Sequence, residues 1–304
     1  MIGFVRRQGG ASGYGLPLEV SAIVLEGDEG RVVLCGVDTI GIQSPEVDVL
    51  RSAVAEAVAT EVSGVLLSWN HTHSAPPATR SMVHRSGLLE TDGDDRIDRY
   101  AEFLASRVVE AASLAARRLE PARVAWAMGE VDLSVNRRER DAEGRIVHGW
   151  RREGLVDRQV VALQARRPDE SPIATLVGYG CHPVAGGMDV ACYSGDYPSA
   201  LRIAVRRLTG GECVFFQGAA GNVLPMIAFC EGEREAIRMG ERLAIEAVHA
   251  LADEPSVPRR LVPDAVALDQ LAAAGPVLRG RSGDQREAAE RRAVEVPICM
   301  LRAS

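Results

Sequence analysis

Short apolar segments rich in β-branched residues alternate with longer amphipathic segments along this chain. Apolar runs of about five to nine residues between turn-forming residues are typical of β-strands. The sequence predicts strands at Leu18–Glu26, Arg31–Asp38, Gly64–Trp69, Arg123–Val131, Arg158–Arg166, Ile173–Gly180 and Glu212–Gln217. Gly64–Trp69 is almost wholly apolar, which is typical of a strand that is buried on both faces.

Apolar residues at intervals of three and four predict helices between these strands. Ser44 and Pro45 are expected to begin the first helix, with the serine as its cap and the proline in its first turn. The sequence predicts further helices at Asp94–Leu119, Pro198–Leu208 and Glu233–Leu251. Strands that alternate with helices, together with adjacent strand pairs, predict an α/β fold: a mixed β-sheet with helices packed on its faces in a single layered domain.

The pattern changes near residue 254. Residues 1–253 are predicted to form the main α/β domain, and residues 254–304 are predicted to add a linker, a polar helix and a terminal strand to it. Three prolines in Glu254–Pro263 indicate the linker. The helix is expected at Asp284–Ala293 and the strand at Val294–Leu301.

Composition narrows the function classes. The 304 residues carry a net charge of −7, which argues against an electrostatic nucleic-acid binder. All 35 basic residues are arginine, which excludes a lysine Schiff base and a P-loop lysine and favours a GC-rich, bacterial coding sequence. The six cysteines are scattered and form no CxxC pair, so we expect buried free thiols.

No apolar run approaches the roughly 18 residues that a spanning helix needs. No apolar segment of signal-peptide type follows the basic residues near Met1. We therefore expect a cytoplasmic protein without a transmembrane segment, although export remains open if the N-terminus is truncated.

Three segments carry more polar residues than packing requires, and each follows a predicted buried strand. They are Asn70–Pro77 (NHTHSAPP), Tyr179–Pro183 (YGCHP) with Tyr193–Pro198 (YSGDYP), and Gln217–Pro225 (QGAAGNVLP). Side chains at strand ends are where α/β proteins commonly place their sites. The small residues of the third segment let the backbone approach a ligand closely.

Histidines dominate the candidate chemistry. His71 and His73 stand at i and i+2, so on an extended backbone both face one side and suit a metal ion or a ligand with an acid. His182, held extended by the following proline, is a candidate third imidazole. Asp38 ends a strand at the same sheet edge and either ligates a metal or caps the next turn. Asp196 either caps a helix or accepts a hydrogen bond behind the site.

Taken in order, the three segments resemble motifs of the N-terminal catalytic domain of neutral/alkaline non-lysosomal ceramidases. In that family a T-H-T-H-S-G-P motif and an H-P motif each follow a buried strand, and a G-N/D-x-S-P loop carries the nucleophilic serine. NHTHSAPP, CHPVAGG with YSGDYP, and QGAAGNVLP match in order and spacing. Asp38 and Asn136–Arg138 also resemble family positions, and the resemblance spans roughly residues 3 to 250.

The resemblance implies a zinc cofactor and an acyl-amide or lipid-like substrate. By position, His71 and His182 would be zinc ligands, His73 would hydrogen-bond the reacting carbonyl or its oxyanion, and Arg137 would help to hold that region. Without the resemblance, Arg137 belongs to a charged run typical of a solvated face, and His148 belongs to a loop that either reaches the site or stays outside it.

The chain departs from the family pattern in three places. Leu224 stands where the family has its serine; loss of such a nucleophile costs about 10⁶-fold in kcat, or roughly 8 kcal/mol of transition-state stabilisation. No tyrosine follows Tyr197 to match the family's downstream tyrosine and glutamate ligands. The family's first strand also has no counterpart at the start, so a fragment, a split protein and a short paralogue all remain open.

Two hypotheses follow. The first is a zinc-dependent hydrolase of an amide or related acyl bond, in which water replaces the serine and Asp38 or a second chain completes the metal site. The second is a non-catalytic remnant that binds a ligand or partner. We expect Leu224 to border an open cleft, so that Leu224→Ser folds normally; a core position would argue against the site.

Overall fold

The computed structural model describes residues 1, 3–4, 7, 10–86, 95–187, 189, 191–253 and 295–303. The helices are α1 (Glu46–Val58), α2 (Arg80–Ser86), α3 (Arg96–Ala116), α4 (Asp196–Thr209) and α5 (Arg234–Asp253), with a 3-10 turn at Val62–Gly64. The strands are β1 (Gly13–Tyr14), β2 (Val20–Gly27), β3 (Gly30–Val37), β4 (Val65–Trp69), β5 (Glu120–Glu130), β6 (Ser134–Arg140), β7 (Ile146–Arg151), β8 (Gln159–Arg166), β9 (Pro172–Tyr179), β10 (Cys192–Tyr193), β11 (Glu212–Gln217), β12 (Val223–Pro225) and β13 (Glu295–Ala303).

Eight strands form the main sheet, in the order β11-β9-β8-β5-β13-β2-β3-β4. The outer pairs β11–β9 and β3–β4 are parallel, and the pairs between them are antiparallel. The sheet is therefore mixed, as predicted, and the α/β class is confirmed.

The sheet curves until its two edges meet. Strand β11 packs against β3 so closely that a Cβ atom on Gly36 would lie 2.8 Å from the carbonyl oxygen of Phe215, which is why only glycine fits there. The backbone N–H of Gln217 donates to Ser68 Oγ of β4 at 3.2 Å. An inner apolar cluster fills the curve and includes Ile23, Val124 and Val214.

Helices cover the outside of the curved sheet in two groups. Helices α1 and α3 bury Val54, Leu104 and Val108 against β2, β3 and β4. Helices α4 and α5 bury Leu201 and Leu243 against the other half. The predicted helices are confirmed to within a few residues. Pro45, however, is the N-cap residue of α1, and no side chain caps this helix.

A small sheet in the order β12-β6-β7 stands beside the main one. It contains the charged run that the sequence assigns to a solvated face, and His148 lies in strand β7 rather than in a loop. Strand β12 pairs with β6 so that Leu224 lies opposite Val135. Sequence analysis missed this sheet because β12 has only three residues and β6 is highly charged.

The C-terminal region is described only in part. Strand β13 confirms the predicted terminal strand and pairs antiparallel with both β2 and β5. The predicted linker and polar helix lie outside the described residues, and the domain bounds stay a prediction. None of the helices within the described ranges is long and apolar enough to cross a membrane.

Candidate metal centre

Three imidazoles converge where β4 and β9 end. The ring centroids of His71 and His73 lie 5.2 Å apart, those of His71 and His182 lie 4.9 Å apart, and those of His73 and His182 lie 5.7 Å apart. Each ring offers one nitrogen within 4.8 Å of those of the other two. The predicted convergence of the three histidines is therefore present in the fold.

His71 and His73 lie on the same side as predicted, although they follow β4 in a segment that is not a regular strand and His73 lies in a turn. Asn70 precedes His71, and Thr72 lies between the two histidines. Their side chains bind the segment before α4: Asn70 Nδ2 donates to Gly195 O at 3.3 Å, and Thr72 Oγ1 donates to Ser194 O at 2.6 Å. These bonds anchor the segment from behind. His71 itself has a φ of +68°, a left-handed conformation that persists only where its surroundings impose it.

His182 is held by the small-residue loop that follows β11. Its backbone N–H donates to Val223 O at 3.1 Å, and its ring Nδ1 lies 2.5 Å from Ala220 O. In these contacts the loop and β12 present carbonyl oxygens that orient His182. The close approach of this loop to a ligand stays a prediction.

The hydrogen bonds fix which nitrogen of two rings faces the centre. His71 Nδ1 lies 2.6 Å from Ile40 O, as His182 Nδ1 lies beside Ala220 O. A carbonyl oxygen only accepts, so each Nδ1 carries the proton and each Nε2 keeps its lone pair. Histidines that ligate metals characteristically donate their second ring N–H in this way.

His73 differs because neither ring nitrogen has a hydrogen-bond partner among the described residues, although both are buried. Phe4 packs edge-on against this ring, with centroids 5.0 Å apart. Gly3 lies directly on the ring, where a Cβ atom would come within 2.6 Å of its Cγ. Burying two unpartnered polar nitrogens is costly, and a bound metal ion would satisfy one of them.

Burial keeps all three imidazoles neutral. It lowers the pKa of His73 to about 3, with His71 and His182 adding to the effect. Burial and the nearby Arg137 lower the pKa of His182 to about 4, and burial lowers the pKa of His71. Neutral imidazole is the form that binds zinc, so the donor set fits the predicted metal.

Asp38 is not part of this centre, contrary to the prediction. Arg202 donates to both of its carboxylate oxygens, at 2.9 and 2.5 Å, and the backbone N–H of Glu19 donates to Oδ2. Both oxygens are thus engaged by Arg202, and within the described residues the group of side chains that could hold a metal ion contains the three histidines without Asp38. Asp38 instead forms part of a buried ion network with Arg202 and Glu19.

Arg137 lies beside the centre and holds the loop that orients His182. Its Nε and Nη2 donate to Gly221 O at 3.0 and 2.7 Å, and its backbone N–H donates to Asn222 O at 2.8 Å. Its charge contributes to the lowered pKa values of all three histidines. Arg137 is thus half-buried against this loop, and the catalytic role that the resemblance implies for it stays a prediction.

Leu224 does not border an open cleft. It is fully buried and packs with Val135 and Val184, and partly buried Phe4 and Ala228 pack against the same cluster. Leu224 is therefore a core residue, and the prediction that Leu224→Ser folds normally loses its basis. This result overturns the site as the sequence predicts it, with Leu224 at the edge of its cleft, whereas the three imidazoles converge without Leu224.

Of the two roles that the sequence left open for Asp196, the structure shows the second. Gly195 is the N-cap residue of α4, and no side-chain hydrogen bond caps this helix. Asp196 is the first residue of α4, and its carboxylate accepts N–H groups from Tyr197, Ala185 and Gly186. The last two residues lie in the segment after His182. Burial raises the pKa of this carboxyl to about 6.

Sequence analysis did not identify Phe4, Arg7 or Phe229 as neighbours of the three histidines. Arg7 Nη1 donates to His73 O at 2.6 Å. Phe229 lies 6.2 Å from Phe4 and 5.9 Å from His148, centroid to centroid. All three lie in irregular segments without a motif, so only the folded chain reveals them. Five cysteines are free, as predicted: Cys35, Cys181, Cys192, Cys213 and Cys230.

No protein-family model matches the sequence, and no curated protein matches it either. Among solved structures, one described as ceramidase complexed with C2 superposes with a TM-score of 0.70 at 18% identity, over 86% of this chain and 42% of that one. Neutral ceramidase from Pseudomonas aeruginosa superposes with a TM-score of 0.67 at 19% identity, over 86% of this chain and 43% of that one. This chain spans less than half the length of those proteins. The resemblance that the motifs predict is confirmed at the level of the fold: the chain has a neutral ceramidase-like α/β fold.

Proposed function

We propose that this protein is a zinc-dependent hydrolase of an amide or related acyl bond. The observation that carries the proposal is the convergence of His71, His73 and His182, each with a nitrogen within 4.8 Å of the other two. Three histidine ligands with an open coordination position are one established arrangement for catalytic zinc. His73 would then be a ligand, rather than the partner of the carbonyl oxygen that the motif resemblance implies.

The chain's own residues prepare this site for a cation. All three imidazoles are held neutral by burial, and two are oriented through their Nδ1 protons. Within the described residues the cluster contains no carboxylate. When bound, zinc would supply the activation of water near neutral pH and the polarisation of a carbonyl oxygen.

Arg137 is the residue best placed to bind a substrate oxygen. Its two bonds to Gly221 O use Nε and Nη2 and leave Nη1 for the carbonyl oxygen of an acyl bond or the oxyanion that forms from it. Leu224 has no nucleophilic atom and is buried, so water is the nucleophile in this proposal. Since one chain provides three donors, a second chain is not needed to complete the site.

The proposed substrate is an acyl amide or a lipid-like molecule. Apolar and aromatic side chains lie beside the imidazoles: Phe4 contacts His73, and Phe229 links Phe4 to His148 and Trp150. Trp150 is 44% exposed and Phe229 is 38% exposed, so both side chains are accessible to a substrate.

Free thiols are compatible with the cytoplasmic location that we expect from the sequence.

A panel of fluorogenic acyl amides, with short and long chains, tests this function with the zinc-loaded protein. We expect cleavage that is lost on chelation, and lost in His71→Ala. His249→Ala is the matched control, because His249 is exposed on α5. Absence of cleavage by a zinc-loaded wild type would contradict the hydrolase and favour the non-catalytic remnant, which binds a ligand without turning it over.

A further inference from the structure

Gln217, the last residue of β11, hydrogen-bonds to both histidine-bearing segments. Its side-chain Nε2 donates to Asn70 O at 3.1 Å and to Cys181 O at 2.8 Å. These carbonyl groups belong to the residues directly before His71 and His182. One amide group therefore joins the backbone on either side of the candidate metal centre.

The curvature of the sheet explains how one side chain reaches both segments. Strands β4 and β9 are far apart in the order of the sheet. Gln217 lies opposite Tyr179 at the end of β9, and its backbone N–H donates to Ser68 Oγ of β4. It therefore stands at the seam where the two edges of the sheet meet.

The two acceptors determine how the amide is oriented. Because carbonyl oxygens only accept hydrogen bonds, Nε2 must face both of them. The other atom, Oε1, is then buried with no hydrogen-bond partner in the part of the chain that the structure describes. An unsatisfied buried acceptor costs about 1–3 kcal/mol, so packing alone would favour an apolar side chain of similar size.

We propose that Gln217 is a positioning residue that fixes the His71 segment against the His182 segment and so sets the spacing of their ring nitrogens. The effect on zinc rests on the function proposed above. The coupling of the two segments does not, because it is a property of the metal-free chain.

Two variants and one control test this role. Gln217→Leu removes both donated bonds, and Gln217→Glu keeps the length of the side chain but places a carboxylate against two carbonyl oxygens. Gln164→Leu is the matched control: Gln164 is 3% exposed, and its Nε2 donates to Thr175 Oγ1 at 2.9 Å within the β8–β9 pair. All three are compared with the wild type at a temperature where circular dichroism shows each to be folded.

Hydrogen exchange of the metal-free proteins is the first readout. The backbone N–H groups of His71 and His182 donate to Thr39 O and Val223 O. We expect both to exchange at least about ten-fold faster in either Gln217 variant, and not in Gln164→Leu. Unchanged exchange, or an equal increase in the control, would overturn the proposal.

Zinc affinity is the second readout, measured by competition with a chelator. We expect the dissociation constant to rise about ten-fold or more in both Gln217 variants and to stay unchanged in Gln164→Leu. A residue that only stabilises the fold would lower the melting temperature without this change, and that result would overturn the positioning of the ligands. If the wild type itself binds no zinc, the proposed function fails, and the exchange rates alone decide whether Gln217 couples the segments.

Discussion

At the scale of single residues, the three imidazoles differ in what holds each ring. His71 and His182 each donate a ring N–H to a backbone carbonyl. His73 is enclosed by Gly3 and Phe4, and its ring nitrogens have no hydrogen-bond partner among the residues that the structure describes. Two rings are therefore set for a ligand before it binds, and the third is left with unsatisfied nitrogens. This difference makes His73 the residue whose role most needs a direct test.

Leu224 allows a prediction at the same scale. Because it is fully buried among apolar side chains, Leu224→Ser removes packing and buries a hydroxyl, and we expect it to lower the free energy of unfolding by about 4 kcal/mol. Leu155→Ser is the control, since Leu155 is 86% exposed and should change stability by less than about 0.5 kcal/mol. Urea unfolding measures both, and a Leu224→Ser protein as stable as the control would show that this position is not core.

Only those site residues that belong to a local sequence pattern could be predicted from the sequence. Alternation predicted that His71 and His73 face one side, and the strand before each motif placed His182 near them. Asp38 was wrongly expected at the metal because its true partner, Arg202, lies 164 residues away on α4, and no local signal marks that pairing. Leu224 was wrongly expected at a cleft because the charged strand β6 that covers it looks like a solvated run.

At the scale of elements, three connections carry the site: the segment after β4, the segment after β9, and the loop after β11. Each is held by bonds from the others or from the segment before α4. The sequence predicted all three strands and the polar residues after them. It could not predict the order of the strands, because the curvature that joins β11 to β4 arises from contacts between distant parts of the chain.

Asp196 gives an element-scale prediction, because it joins the start of α4 to the segment after His182. Its pKa is raised to about 6 by burial, above the value of about 3.9 expected in the unfolded chain. The folded state therefore holds this proton more tightly, and the fold loses stability as pH rises from about 4 to about 6. This group accounts for about 3 kcal/mol of that loss.

Asp196→Asn, which cannot ionise, should lack that contribution. Urea unfolding of the metal-free proteins at intervals between pH 4 and pH 7 measures it as the difference between the two stability curves. The other titrating groups are present in both proteins, so their contributions cancel in the difference between the two curves. Parallel curves across this range would show that Asp196 does not titrate as described.

At the scale of the whole molecule, a buried ion network links the two halves of the curved sheet. Arg202 of α4, which packs on the β9–β11 half, pairs with Asp38 after β3 and with Glu19 before β2. The side chains of all three are at most 2% exposed. The network thus connects α4, whose first residue is Asp196, to the start of β2 and the end of β3.

Arg202→Met would leave the buried carboxylate of Asp38 without its guanidinium partner, while Glu19 keeps its pair with Arg206. We expect this change to lower the free energy of unfolding by about 3–5 kcal/mol. Arg238→Met is the control, because the Arg238 side chain is 60% exposed in its pair with Glu235 and should contribute less than about 1 kcal/mol. Denaturant unfolding compares the two. Equal stabilities would mean that the network does not hold the halves together.

Zinc affinity decides whether one chain holds a single zinc ion through three histidines. Chelator competition on the metal-free wild type and on His71→Ala, His73→Ala, His182→Ala and His249→Ala separates the contribution of each side chain. We expect one zinc ion per wild-type chain, a dissociation constant that is at least about a hundred-fold higher in each of the first three variants, and no change in His249→Ala. Unchanged zinc affinity in His73→Ala would contradict a three-histidine site, and a wild type that binds no zinc would contradict the metal centre as a whole.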